Sequence, residues 1–564
     1  MKGFSTMKNY IKEYYEKIQS GEIIACQQIK RIYRYLNDIC DGKYTECYYD
    51  GKKAEKVIAF IELFCKNSKG AYAGKPLELL LWQKAFLSAV YGIINKKTGY
   101  RKFTETLLEV ARKNGKSGLS SALLCYSLFA DGEEGAEIYC GATKKDQAKI
   151  VFEEAKRMVK ASPILNEQAK CIRDKITFNN SVAMPVGADS NRLDGLNASV
   201  IFLDEIHGFK DDNLYHVLRD SQSFRNQPLT IMITTAGFVR ESIFDKKVEE
   251  ADIILTQIDE NRSENKWDDD GIVFLPFIYT QDNWKKELGD KAQWIKSNPS
   301  LGRIKSVKFL SECIAEARRT NSINNLLTKH FDIIRNNEQA YFVYEDVKNK
   351  STFDMHEIFD DKYVIMGIDL SATVDLSVLT MITKVDNTIY VHQKAWMPSE
   401  MFEKRLSTEK IPYREWNENK YMDLCPGNSI NYHQIIDYIH ELIDTYNITV
   451  YKLGYDSWSA RYVIEELEDY FGRGVCEPVI QGYKTLSQPM GELKATFQDK
   501  NVNYNNNPML LWGCLNVVCV EDRNGNLLPD KRDKRQKIDN FASLLDAYVS
   551  YTRCKQEFDA LNNL

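Results

Sequence analysis

Apolar residues along the chain change their period several times, and each change marks a different kind of element. From Ile23 to Tyr35 they recur near helical spacing, which predicts an N-terminal helix ahead of loops at Asp41-Gly42 and Asp50-Gly51. Short continuous apolar runs then appear at Leu107–Val110, Glu137–Cys140, Val200–Leu203 and Thr230–Thr234, separated by stretches such as Gly118–Ala130 that are long enough for buried helices. Such an alternation predicts a parallel α/β sheet, whose ligands sit at the carboxyl ends of the strands. Val110, Asp204 and Thr234 all fall there. The polar run from Asp259 to Gly271 has no period and reads as a surface loop, while apolar residues spaced by three and four from Ser306 to about Asn337 predict one long helix. Past Tyr363 a second α/β region begins, with two adjacent strands, a further strand ending at Asp456, a hairpin about Asn524-Gly525 and a helix from Phe541 to Tyr551. The pattern divides the chain into an N-terminal helical segment (1–56), a first α/β domain (57–265), a linker subdomain (266–350) and a second α/β domain (351–564).

Composition sharpens this picture by exclusion. A chain of 564 residues exceeds what one hydrophobic core serves, and 43% hydrophobic with 27% charged residues is the balance of a globular protein. No apolar run is long enough for a bilayer and Met1 to Gln19 has no signal-like apolar stretch, so no membrane association and a cytoplasmic location are expected. Thirteen cysteines without a C-x-x-C pair, and seven histidines without zinc-ligand spacing, predict reduced structural thiols. A net charge of −5 argues against histone-like coating of nucleic acid but permits a local basic groove.

Two segments about ninety residues apart carry the first candidate chemistry. Gly115-Lys116-Ser117 turns from a strand into a helix, so backbone N–H groups and the Lys116 ammonium could cradle the β- and γ-phosphates of a nucleotide while Ser117 holds magnesium. The first glycine of the common phosphate loop would fall on Val110, so the tripeptide alone could be a solvated turn. Val200-Ile-Phe-Leu-Asp-Glu-Ile206 supplies the partner: Asp204 beside the magnesium ion, Glu205 to orient and deprotonate the attacking water.

The second candidate is a set of acids. Asp369 interrupts an apolar strand, Asp456 ends another, and Asp539 opens an apolar helix. A buried strand tolerates such an acid badly unless it is paired or bound to metal. Strand, strand and helix each giving one carboxylate is how a ribonuclease-H-like fold gathers two divalent ions for phosphodiester cleavage. Asp375 and Asp546 are reserve candidates; strand-end turns and a helix cap are the structural alternative. Lys531-Arg-Asp-Lys-Arg-Gln-Lys537, five of whose seven residues are basic, precedes Asp539 and could clamp a nucleic-acid backbone.

The order of these motifs resembles the large terminase subunit of tailed bacteriophages, over nearly the whole chain. The similarity is carried by Ile23-Ile-Ala-Cys-Gln27, Pro76 to Gln83, Arg112-Lys-Asn-Gly-Lys-Ser117, Gly141 to Ala148, Leu203-Asp-Glu-Ile-His207 and Thr234-Thr-Ala-Gly237. It continues through Asn298-Pro-Ser-Leu-Gly302, Gly367-Ile-Asp-Leu-Ser371, Tyr455-Asp456, Asn507-Pro508 with Trp512 and Asn516, and Lys537-Ile-Asp539.

The resemblance implies a P-loop ATPase with a parallel sheet followed by a ribonuclease-H-like nuclease. It also implies residue roles: Gln83 reading adenine, Arg112 stabilising transition-state charge, Arg112 with Asn114, Gly115, Lys116, Ser117 and Asp204 holding ATP and Mg2+, and Thr234-Thr235 coupling hydrolysis to motion. It favours Asp539 over Asp546 as the third nuclease acid, with Mg2+ or Mn2+ at that site. The expected activity is ATP-driven movement of double-stranded DNA into a procapsid, with cleavage of concatemers. The expected partners are a small terminase subunit and the portal, with a ring of copies forming during packaging in the host cytoplasm. A helicase-like translocase-nuclease of repair or restriction is the alternative.

Overall fold

Strands covered on both faces need apolar side chains at every position, and the run ending at Asp204 shows this directly. Val200 and Phe202 enter one core while Ile201 and Leu203 enter another. The structure is a computed structural model that describes residues 8–68, 73–187, 195–209, 212–237, 243–267, 271–320, 322–333, 341–371, 376–408, 411–456, 461–472, 474–531 and 537–562. The chain divides into two compact units, Met1–Arg335 and Asn336–Leu564. No helix among the described residues is long and apolar enough to cross a membrane.

The first unit opens with helices α1 (Tyr10–Gln19), α2 (Gln27–Cys40), α3 (Gly51–Phe64) and α4 (Leu81–Gly92). Asp50 caps α3 by accepting from the N–H groups of Lys52 and Lys53, so Asp50-Gly51, expected as a loop, starts a helix instead. Residue 56, the expected boundary, lies inside α3. Residues of α1 to α4 enter the same core as the sheet. Its strands are β1 (Glu105–Glu109), β2 (Glu137–Ala142), β3 (Lys170–Ile172), β4 (Lys175–Phe178), β5 (Ser181–Gly187), β6 (Val200–Asp204), β7 (Leu229–Thr234) and β8 (Phe274–Ile278), in the order β8-β1-β7-β6-β2-β5-β4-β3. From β8 to β5 every pairing is parallel; β5-β4-β3 is an antiparallel meander.

Two expectations fail in this unit. This unit also holds helices α5 (Lys116–Phe129) and, further along the chain, α6 (Ile243–Ser263), which continues through Asp259, where a loop was expected. Asp259 looks polar in sequence because it pairs with Arg31 at 2.6 Å and with Arg34, not because the chain is irregular. The single helix expected from Ser306 is two, α7 (Val307–Arg319) and α8 (Ile323–Phe331), because Thr320 closes the first and Asp332 ends the second in the left-handed conformation.

The second unit is built on β9 (Tyr363–Asp369), β10 (Ser377–Val385), β11 (Thr388–Pro398), β12 (Met422–Cys425), β13 (Thr449–Asp456) and β14 (Cys476–Val479), in the order β12-β11-β10-β9-β13-β14, with Val502–Asn503 also beside β11. β10 runs antiparallel to both β9 and β11, while β13 and β14 run parallel to β9. Three antiparallel strands extended by two parallel ones is the ribonuclease-H-like arrangement. Helix α9 (Asp539–Asn562), kinked at Cys554, packs on one face through Phe541, Leu544, Leu545 and Tyr548. Each such side chain contributes about 1.5–3 kcal/mol when fully buried. Val364, Met366 and Ile368 face the opposite core. The expected hairpin pairs Val517–Glu521 with Leu527–Lys531.

Candidate active sites

The phosphate loop begins where β1 runs out. Gly115 is the N-cap of α5, with φ 90° and no side chain closing the helix, so the first N–H groups of α5 are left for an anion. A side chain at this left-handed position would be strained and would meet Ile304 Cδ1 at 3.0 Å. Lys116 is buried, its ammonium donating to the loop's own Val110 carbonyl. Ser117 and Arg112 are exposed at the loop surface.

Strand order explains how the remaining groups converge. β7 lies between β1 and β6, so Thr234 at its end sits between the phosphate loop and the Asp204-Glu205 pair. Val110 N–H donates to Thr234 O at 3.2 Å and Glu205 N–H to Ile233 O at 2.8 Å, locking the three strand ends together. Glu205 itself is left-handed (φ 54°, ψ 49°), a conformation that costs a non-glycine residue on the order of 1 kcal/mol and aims its carboxylate away from the strand direction.

His207, to which sequence reasoning gave no role, bridges the site. Its Nδ1 lies 3.0 Å from Glu205 Oε2 and 2.9 Å from Thr234 Oγ1. Burial pushes the Asp204 carboxyl up to about 6, and the Glu205 charge adds to the effect. Burial also works against the Glu205 charge, but His207, Lys116 and Arg112 together outweigh it and hold that carboxyl below its ordinary range. Two adjacent acids are thus driven in opposite directions: Glu205 keeps its charge, and Asp204 needs a cation to stay charged. Ser117 and Asp204 are hard oxygen donors of the kind magnesium takes beside phosphate, so the residues fit the expected ion.

Two expected nucleotide contacts take on a different character. The Asn114 side chain is fully buried and committed: Nδ2 donates to Ala111 O at 2.8 Å and Asn298 Oδ1 at 3.1 Å, and Oδ1 accepts from Ser300 N–H at 3.1 Å. Asn114 therefore shapes the loop instead of offering its amide to phosphate. Gln83 Oε1 accepts the Leu80 N–H at 2.8 Å, which caps α4, while its Nε2 faces Gly115. Beside it a cavity is lined by Ile24, Leu80, Leu81, Trp82, Pro299 and Arg303.

Residues 297–332 belong to this site by packing. Ala111 and Arg112 donate their N–H groups to Ser297 O and Lys329 O at 3.3 and 3.0 Å, and Ser300 Oγ joins Asn114 O to the Trp82 indole. This explains the Asn298-Pro-Ser-Leu-Gly302 motif, which sequence reasoning had placed only by resemblance. Behind it lie Lys305 and Asp332, which no sequence motif flagged. Burial pulls the Lys305 ammonium down to about 7, with Lys116 adding to the effect, and pushes the Asp332 carboxyl upward.

In the second unit register alone brings the acids together. Ile368 pairs with Tyr455 on parallel β9 and β13, so Asp369 and Asp456 are neighbours at the same strand ends. Gly367 and Gly454, two residues earlier, sit against the α9 backbone: a Cβ at Gly367 would lie 2.2 Å from Ser543 O, and one at Gly454 2.4 Å from Asp546 O. Because side chains alternate along a strand, Asp369 and Asp456 share that face. Asn562 bonds Tyr363 at the other end of β9, so α9 runs antiparallel to the strand and its first residue, Asp539, lies toward the two acids.

The start of α9 is pinned by a buried polar network. Gln393 Nε2 donates to Asn540 O and Thr380 Oγ1, Asn540 Nδ2 returns to Gln393 Oε1 at 2.7 Å, and Ser543 Oγ donates to Gly367 O at 2.8 Å. Asp546 is buried two turns further along the same face of α9, accepting from Gln481 Nε2 at 2.9 Å; burial drives its carboxyl well above the ordinary range, and Asp456 adds to this. Three carboxylates are a hard-oxygen donor set suited to divalent ions. Among the described residues no three acid, His or Cys side chains close into a metal cage. Asp375 and residues 532–536 of the basic run lie outside the described residues. Lys537 is buried, with its carbonyl accepting from Asn516, so it is a structural member of the α9 entry.

Comparison with known proteins matches both halves of the chain. The family described as terminase large subunit, ATPase domain, matches residues 81–252, and terminase large subunit, endonuclease domain, matches 268–554. The large terminase subunit of Enterobacteria phage HK97 is 26% identical over 510 residues, covering 87% of this chain and 94% of the relative; that of Lactococcus phage p2 is 23% identical over 483 residues, covering 83% and 86%. The crystal structure of the HK97 large terminase covers 88% of this chain and 99% of its own, at 24% identity and a TM-score of 0.45. The chain belongs to the terminase large subunit family, carrying an ATPase and a DNA endonuclease for phage DNA packaging and using nucleotide and divalent metal.

Proposed function

We propose that the first unit hydrolyses ATP through Lys116, Ser117, Asp204, Glu205 and Arg112, and that the second cleaves DNA through Asp369, Asp456 and Asp539. The observation that supports this most is that each compact unit presents its own carboxylates at the carboxyl ends of parallel strands, Asp204 and Glu205 beside the α5 N-terminus and Asp369 and Asp456 toward the start of α9. In the first, the helix start and Lys116 hold the β- and γ-phosphates, Glu205 takes the proton of the attacking water, and Arg112 meets the charge developing on the transferred group. A magnesium ion at Ser117 and Asp204 would supply charge neutralisation between phosphate oxygens. His207 links Glu205 to Thr234, giving hydrolysis a mechanical connection to β7. Gln83, whose Nε2 faces Gly115, reads the adenine, beside the cavity at Leu80 and Leu81.

In the second unit Asp369, Asp456 and Asp539 would hold divalent ions, and as hard carboxylate donors they would suit Mg2+ or Mn2+. The motor acts on double-stranded DNA in the host cytoplasm, docked as a ring on the portal and directed by a small terminase subunit. The separation of the two chemistries is the test. Lys116→Ala should abolish ATP turnover and packaging while cleavage of naked plasmid continues. Asp369→Asn should stop cleavage and leave ATP turnover intact. Equal loss of both activities in either variant would contradict the assignment.

A further inference from the structure

Ile304 is an apolar side chain set against the phosphate loop and left uncovered there. It is 51% exposed, yet its Cδ1 would lie 3.0 Å from a Cβ at Gly115. Gln83 Nε2 would lie 3.6 Å from the same point, so the isoleucine and the glutamine flank one spot at the N-terminus of α5. The neighbouring Arg303 is exposed, lines the cavity beside Leu80, Leu81, Trp82 and Pro299, and forms no ion pair among the described residues.

Both side chains stand on a turn whose backbone is fixed. Gly302 is left-handed (φ 81°) and donates its N–H to Lys305 O at 2.8 Å, while the N–H groups of Arg303 and Ile304 donate to Ser300 O at 3.1 and 3.0 Å. Ser300 in turn holds Asn114 of the phosphate loop and the indole of Trp82, next to Gln83. A scattered surface isoleucine or arginine needs no explanation. Here one anchored turn presents both, the first on the loop that cradles phosphate and the second on an apolar cavity beside it. Lys296, the other cation lining that cavity, is engaged by Asp282 and Glu287, so Arg303 is the one left to meet a ligand.

Apolar walls and a weakly hydrated planar cation suit an aromatic ring, because a guanidinium stacks on a π-face that an ammonium cannot match in shape. We propose that Ile304 and Arg303 bind the nucleoside of ATP, Ile304 by apolar contact beside the edge that Gln83 reads and Arg303 by laying its guanidinium on the face of the purine. The turn then sets affinity for the base and leaves the phosphates to the loop. The inference rests on the reading of Gly115-Lys116-Ser117 as the phosphate site.

Binding of ADP, of a slowly hydrolysed ATP analogue and of inorganic tripolyphosphate to the full chain in magnesium buffer, followed calorimetrically, is the readout. Arg303→Ala should weaken both nucleotides by roughly 3- to 30-fold, and Ile304→Ala should weaken them by about fivefold, with tripolyphosphate affinity unchanged in each. Arg303→Lys keeps the charge without the stacking plane and should behave like Arg303→Ala. A variant that only distorts the loop would lower nucleotide and tripolyphosphate affinity together. An unchanged ratio of the two in Arg303→Ala, or wild-type nucleotide affinity in Arg303→Lys or Ile304→Ala, would overturn the proposal. Lys116→Ala tests the underlying reading separately: loss of tripolyphosphate binding upholds the phosphate site, whereas full affinity would overturn that reading itself.

Discussion

Replacing Gly367 by alanine tests whether the nuclease acids depend on the close seat of α9 against β9. The new Cβ would lie 2.2 Å from Ser543 O, 2.5 Å from Ala547 N and 2.9 Å from Ala547 Cβ. The two nearest atoms are helix backbone, so no side-chain rotation relieves them. Ordinary carbon contacts lie at roughly 3.5 Å, so α9 must retreat by about 1 Å. Overpacking of this kind costs about 1–3 kcal/mol, and stretching the Ser543 Oγ to Gly367 O bond of 2.8 Å adds about 1 kcal/mol. The unit should therefore remain folded with a lowered melting temperature. Asp539, carried on the first turn of α9, moves with the helix, and a displacement of about 1 Å at a catalytic group lowers rate by on the order of 100-fold. Nicking of supercoiled plasmid with Mg2+ or Mn2+ measures this, and ATP turnover by the same preparation serves as the control. Wild-type nicking together with an unchanged melting temperature would refute the claim that α9 sets the position of the third acid.

Three further outcomes are expected, two from the geometry of the sites and one from the basic run in the sequence. Glu205→Gln should still bind nucleotide, since phosphate affinity lies with Lys116 and the α5 N-terminus, but turnover should fall by about 100- to 10,000-fold, checked by paired binding and phosphate-release assays. Asp546→Asn should retain cleavage and raise the melting temperature at neutral pH: a carboxyl held above its unfolded-state pKa costs stability as pH rises from the unfolded toward the folded value, so the gain should shrink toward pH 4, and a constant gain would be inconsistent with buried charge. Neutralising Lys534 and Arg535 should weaken DNA binding regardless of sequence and reduce the log–log salt slope by about 1 per lost phosphate contact, measured by titration at several salt concentrations.

The sequence by itself determined the two chemistries and much of their scaffolding. Val200–Leu203 had to be a doubly covered strand because it is apolar at every position, and Asp204-Glu205 at its end had to face a ligand, since such strands present ligands at their carboxyl ends. Gly115-Lys116-Ser117 was legible for the same local reason: the atoms that cradle phosphate belong to one turn. The acids at 369, 456 and 539 could be nominated, because an isolated carboxylate on an apolar strand or at a helix start asks for a partner.

Tertiary structure alone decided what joins distant segments. Periodicity reports one element's own faces and carries no record of which element covers them, so it could not show that α1 to α4 share the ATPase core or that Asp259 extends a helix to meet Arg31 and Arg34. Residues 271–333 fall within the endonuclease match by sequence yet pack in the first unit, because Asn298, Ser300 and Lys329 bond to the phosphate loop. Asp332 and His207 reach Ala236 and Thr234 from 96 and 27 positions away in the chain, and the folding of β7 between β1 and β6 brings these strand ends together. Long-range electrostatics of this kind is a property of distance in space, to which neighbouring residues in the chain give no clue.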